Sequence, residues 1–131
     1  MQEIGKIDIA IYQRVSNKAI LTDEVVLTNN RMEHIIERRG LSFYETYRPF
    51  FSEIIRDPDY VFSDKRPYSV IASKAFKKDG SIVNIIIRLV VESDNPKFKN
   101  SIITAIELGE ERFEQFLRNN EPVYKKLDNQ V

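Results

Sequence analysis

His34 is the single histidine of the chain, and an imidazole is the one ordinary side chain that changes charge near neutral pH. That makes it the candidate for proton transfer, against the plainer reading of a surface or inter-helix histidine. It stands among arginines. Arg31 and Arg38 share its helical face, as a phosphate-binding row or as a solvated basic face paired with Glu33 and Glu37. Arg39 falls instead beside the apolar stripe of Met32, Ile35 and Ile36, so it points toward whatever the helix packs on. A guanidinium there needs a carboxylate, a carbonyl or a bound phosphate; the alternative is a helix-end cation that snorkels to water. Further along, Arg88 interrupts the most apolar stretch, as a cross-strand ion pair or a phosphate contact. Thr104 is a good strand former whose hydroxyl can also bond a phosphate oxygen, and Ser101 reads as a strand edge.

Several chemistries are excluded. The chain has no cysteine, so there are no disulfides, thiolate nucleophiles or cysteine zinc sites. One histidine rules out a three-histidine or HExxH zinc centre. Asp57 and Asp59 flank Pro58 and read as a helix stop rather than a metal site. No cofactor is called for. Lys and Arg number 20, as do Asp and Glu, so the net charge is zero, which argues against coating nucleic acid by bulk positive charge. The balance is local, however. Residues 66–101 carry seven basic and three acidic groups, or +4, while 1–65 and 102–131 are each −2. No targeting signal or membrane-length apolar run is visible, so the expectation is a cytoplasmic protein with no membrane partner.

The elements that must position these residues follow from patterning. Ile7, Ile9 and Ile11 alternate as a strand would. Asn30 and Glu33 form a capping box for a helix that stops at Gly40. Ser42 and Glu45 form a second one, with regular helix from about Arg48 because of Pro49, and with Phe50 and Phe51 both in the core. Strands are expected at 60–62, 69–76, 82–92 and 101–107, with a hairpin turn at Lys77-Lys78-Asp79-Gly80. In the last strand Ile102, Thr104 and Ile106 alternate against Ser101, Ile103 and Ala105. A helix over 110–118 closes the pattern, with Phe113, Phe116 and Leu117 inward. The class is α+β: an N-terminal strand and two helices, then an antiparallel sheet and a C-terminal helix.

The segment Leu27 to Gly40 resembles the first helix of the phage-associated barnase/EndoU/colicin/RelE-like (BECR-fold) nucleases. Ile55-Arg56-Asp57-Pro58-Asp59-Tyr60-Val61 is similar to the end of that family's aromatic helix, Ser101 to Ala105 to its closing strand, and Glu111 to Lys126 to its terminal helix and Tyr-Lys segment. The resemblance covers roughly 25–126 of a single domain spanning 1–131, with 1–24 as N-terminal strand and extension. It implies a toxin-like, metal-independent ribonuclease of a phage or mobile element, attacking the adjacent phosphorus with the RNA 2′-hydroxyl. It implies His34, Arg39 and Thr104 as catalytic residues and Arg38, Arg88 and Ser101 as substrate-binding ones. RNA, tRNA included, is the implied substrate, with a neutralising protein as a further partner. The family often carries a second histidine where this chain has Arg39, so two-histidine chemistry is ruled out. The other hypothesis is therefore a non-catalytic RNA- or protein-binding module on the same fold.

Overall fold

The computed structural model describes residues 1–76 and 80–127. Strand β1 (Gln2–Lys6) is followed by a short helix α1 (Ile9–Tyr12), a 3₁₀ turn at Gln13–Val15, and strand β2 (Glu24–Leu27). Three helices come next: α2 (Asn29–Arg39), α3 (Leu41–Tyr47) and, after a 3₁₀ turn at Arg48–Phe50, α4 (Phe51–Arg56). Strands β3 (Tyr60–Ser63), β4 (Ser69–Phe76), β5 (Ser81–Arg88) and β6 (Asn100–Leu108) then run as a meander. Helix α5 (Glu110–Asn119) and the short β7 (Tyr124–Lys125) complete the described chain. The sheet order is β1-β2-β6-β5-β4-β3-β7. Every neighbouring pair is antiparallel except β2 with β6. This is the expected α+β class.

The two faces of the sheet carry different layers. Val83, Ile85 and Ile87 of β5, with Val70, Ala72, Ile102 and Ala105 beside them, pack with Tyr12, Ile35, Phe51, Ile54 and Ile55 in the main core. The opposite face holds a smaller cluster of Phe62, Ile82 and Phe113, edged by Tyr60, Ile71, Leu108, Phe116 and Leu117. Helix α5 therefore covers the β3–β5 side and the end of β6 at Leu108, as its Phe113, Phe116 and Leu117 pattern predicts. Tyr12 is enclosed in the main core and donates its hydroxyl to the Ile55 carbonyl at 2.6 Å. Burial pushes that phenol far above its ordinary range, with Asp8 adding to the shift.

Several local expectations are corrected. The N-terminal strand is Gln2–Lys6, not the isoleucine alternation at 7–11. Asp8 accepts from the Ala10 N–H at 3.1 Å and starts a helical turn, and all three isoleucines still pack on the main core. The cap of α2 is Thr28, whose hydroxyl accepts from the Arg31 N–H at 3.3 Å, not Asn30. Gly40 stops α2 as expected, at φ +96, a conformation that strains any other residue. Helix α3 starts directly after Gly40 with no side-chain cap. Pro49 divides helix from helix through a 3₁₀ turn instead of starting one. Phe51 is fully buried, but Phe50 is 41% exposed and rests on Phe76 at 5.3 Å between ring centroids. Strand β5 ends at Arg88, and Val91 bridges Ile20 beyond it. Gly80 has the turn conformation expected of it, at φ +74; Lys77, Lys78 and Asp79 lie outside the described residues.

Candidate functional site at the open edge of strand β6

Strand β2 pairs with β6 only at Val25–Asn100 and Val26–Ser101. From Ile102 onward, β6 has no strand on that side among the described residues. Helix α2 lies there, anchored by Ile35 in the main core. Arg39 Nε donates to the Ala105 carbonyl at 3.0 Å, so a guanidinium satisfies an edge carbonyl in place of a strand. Of the three partners expected for Arg39, the carbonyl is the one it has. A guanidinium has five N–H donors, and this is its one hydrogen bond among the described residues. The rest are available to an anion. His34 and Arg38 lie on the same helix, His34 half-buried and Arg38 exposed. Neither makes a side-chain hydrogen bond or ion pair among the described residues, so the expected pairing of Arg38 with Glu33 or Glu37 is not made.

A β-bulge reshapes the strand opposite. Ile86 pairs with Thr104, Ile87 with Ile102 and Arg88 with Ser101, which leaves Ile103 as the extra residue. The simple alternation expected over 101–107 is thereby broken. Ser101 and Thr104, three apart, share a face, while Ile102 and Ala105 both enter the main core. Thr104 is 9% exposed, and its hydroxyl is buried without a hydrogen-bond partner among the described residues; the Ser69 hydroxyl is in the same state. An orphaned hydroxyl costs about 1–3 kcal/mol, so each is a place where an added acceptor or donor would be stabilising.

Arg88 also lies on that second face, in one cross-strand row with Ser69 and Ser101. It is already engaged. It donates to the Leu89 carbonyl, reaches Asp94 at 3.2 Å, and sits 5.5 Å from the Tyr68 ring centroid. Its ion pair is thus with the following turn, not across strands. The Val91 N–H, aided by Arg88, holds the Asp94 carboxyl below the usual carboxylate range. Tyr68 carries a second cation, Lys18, at 5.6 Å from its centroid. Its backbone has φ +58, one residue after Pro67 in a turn closed by Ser69 N–H to Arg66 carbonyl at 3.3 Å. That is a turn position where glycine is usual.

The sequence-derived candidates therefore fall into two groups. His34, Arg38 and Arg39 come from α2 on the first face. Arg88, Ser101 and Thr104 line the second. The two groups lie on opposite faces of the sheet, and the link between them is the Arg39 bond to the carbonyl of Ala105, the residue after Thr104. Two further residues on this edge were not singled out from sequence. Tyr47 of α3 donates its hydroxyl to Glu107 at 2.5 Å, and Glu107 lies two residues beyond Ala105 on the same side of β6. No ion pair joins Arg39 to Glu107 among the described residues, so a cation and an exposed carboxylate flank this edge unpaired with each other. In the sequence Tyr47 stands at helical spacing from Phe50, Phe51, Ile54 and Ile55, which signals packing and not a carboxylate partner.

Asp57 and Asp59 serve charge pairing. Lys74 lies 3.4 Å and 3.9 Å from them, and Lys126 lies 2.9 Å from Asp57. The Lys126 hydrogen bond, joined by Lys74, lowers the Asp57 pKa. Among the described residues no group of His, Asp and Glu is placed to hold a metal ion, and no helix is long and apolar enough to cross a membrane. No family model, curated protein or solved structure matches the chain.

Proposed function

We propose that the chain is a metal-independent ribonuclease of the kind carried by phages and mobile elements, acting on RNA, tRNA included, at the open edge of β6. The observation that carries this reading is the Arg39–Ala105 contact. It holds a guanidinium with free donors beside an unpaired edge that also carries the phenol-bound Glu107 carboxylate, on the helix that bears His34 and Arg38.

The chemistry divides among these groups. The free N–H groups of Arg39 bind non-bridging phosphate oxygens, helped by Arg38. Glu107 takes the proton of the 2′-hydroxyl, whose oxygen bonds to phosphorus as the bond to the 5′-oxygen breaks. His34 gives a proton to that departing oxygen. The products are a 2′,3′-cyclic phosphate and a 5′-hydroxyl, so atoms and charge balance without a metal.

Purified protein incubated in EDTA with total RNA and with tRNA tests this. Cleavage to 2′,3′-cyclic phosphate ends, abolished in His34→Ala and in Arg39→Ala, is the expected result. No cleavage at enzyme excess, or cleavage unchanged in both variants, removes the proposal. A second reading, a module on the same fold that binds RNA or a protein without cutting, is favoured by the engagement of Arg88 with Asp94. Salt-dependent retention of intact RNA would select its RNA form, and a discrete protein partner without RNA the other.

A further inference from the structure

A cavity of about 500 Å³ opens on the second face of the sheet, beyond the C-terminal end of α5, away from the β6 edge. It falls within the size range of small-ligand sites. Its lining includes the Tyr60 ring, the last turn of α5 from Leu117 to Asn119, and Lys125 of β7. Tyr60 and Lys125 are direct cross-strand partners, and the lysine ammonium lies 6.0 Å from the ring centroid. The ring is braced by Phe62, near-parallel at 5.9 Å, and by Phe113 at 5.5 Å. It is therefore a fixed platform.

The helix end adds acceptors. The last four carbonyls of a helix have no partner within it. The Asn120 amide takes the Phe116 carbonyl at 2.9 Å. The carbonyls of Leu117, Arg118 and Asn119 have no partner beyond the helix among the described residues. Exposed Arg118 and Lys125 stand at the cavity's margin, with the Glu121 carboxylate as one more acceptor.

This combination selects a ligand chemistry. A simple anion has no use for the ring or the carbonyls. An apolar amine gains nothing from two cations. A planar heterocycle with N–H donors and a phosphate uses all three, by stacking on Tyr60, donating to the helix-end carbonyls and placing its charge by Arg118 and Lys125. We infer that this cavity is a nucleotide subsite that takes a base bearing an exocyclic amine, adenine or guanine in preference to uracil. It rests on the RNA reading above for its source, an unpaired base of the bound strand.

The probes are AMP, GMP and UMP, with inorganic phosphate as control, titrated into the full chain and followed by amide NMR shifts. Saturable shifts at Tyr60 and residues 117–125, about tenfold tighter for AMP and GMP than for UMP, are expected. Tyr60→Leu should weaken AMP by about tenfold or more, the weight of one stacked base, while Tyr60→Phe binds normally. The exposed pair Arg118→Gln and Lys125→Gln, which leaves the smaller core intact, should weaken AMP but not adenosine. No saturable shift with any nucleotide, or phosphate binding as tightly as AMP, overturns the inference. These readouts involve no cleavage, so a chain that binds AMP but cuts no RNA refutes the ribonuclease reading and keeps this one.

Discussion

Arg39 and Ala105 are joined by a guanidinium-to-carbonyl hydrogen bond of 3.0 Å that ties the last turn of α2 to an edge of β6 left free by β2. The structural role of the bond and the chemical role proposed for Arg39 can be separated by substitution. Arg39→Lys keeps the charge but loses the planar fork. It should cut RNA cleavage at least tenfold and lower stability by about 1 kcal/mol or more, the weight of one charged hydrogen bond. Urea denaturation read beside a cleavage assay checks both. Equal loss in both, with cleavage restored by osmolyte, would leave Arg39 only its structural role.

His34 makes no side-chain bond among the described residues, so its loss should not disturb the fold. His34→Ala is expected to unfold within about 0.5 kcal/mol of the parent, while RNA cleavage falls by about 10²–10⁴, the usual weight of one proton-transfer group. A large drop in stability would show instead that the imidazole serves packing.

Tyr68 sets backbone strain against two ring–cation contacts. Tyr68→Gly relieves the left-handed φ, worth about 1 kcal/mol, but removes the surface on which Lys18 and Arg88 rest, worth about 0.5–1 kcal/mol each at exposed sites. Small net change in melting temperature is expected, with faster amide exchange across residues 89–94. Unchanged exchange there would mean that Asp94 alone holds the turn.

Asp57 gives a pH prediction whose sign is fixed. Its pKa in the folded chain lies below the ordinary 3.8. Its contribution is therefore full above about 3.8 and lost as pH falls through the lower folded value. With side chains 45% and 42% exposed in the Asp57–Lys126 pair, the effect should stay under about 1 kcal/mol. Asp57→Asn should lower stability at pH 6 and converge with the parent near pH 2, measured by urea unfolding at each pH.

Much of the fold was legible because some segments admit one solution. Val83, Ile85 and Ile87 alternate on a strand that must be buried, and Phe113, Phe116 and Leu117 fit only a helix face. What escaped depended on single residues. One extra residue at Ile103 moved Thr104 onto the face of Ser101, and no alternation rule reveals a bulge. Asp8 turned an isoleucine alternation into helix through one hydrogen bond. The site was readable only in part for a related reason. Arg39 was recognisable as a cation needing a partner, whereas the Tyr47–Glu107 pair joins residues far apart in sequence, and nothing local announces it.

The parallel pairing of Val25 and Val26 with Asn100 and Ser101 sets an order of assembly. The β3–β6 meander forms between sequence neighbours. Docking α2 on β6, by contrast, requires closing a loop of 66 residues between Arg39 and Ala105, a contact of high order whose entropy must be met last. A nascent chain that has not yet emerged through β6 has α2 but no edge for it to grip. The arginine clamp thus comes into being only after β6 has been made, so helix and grip are separated in time.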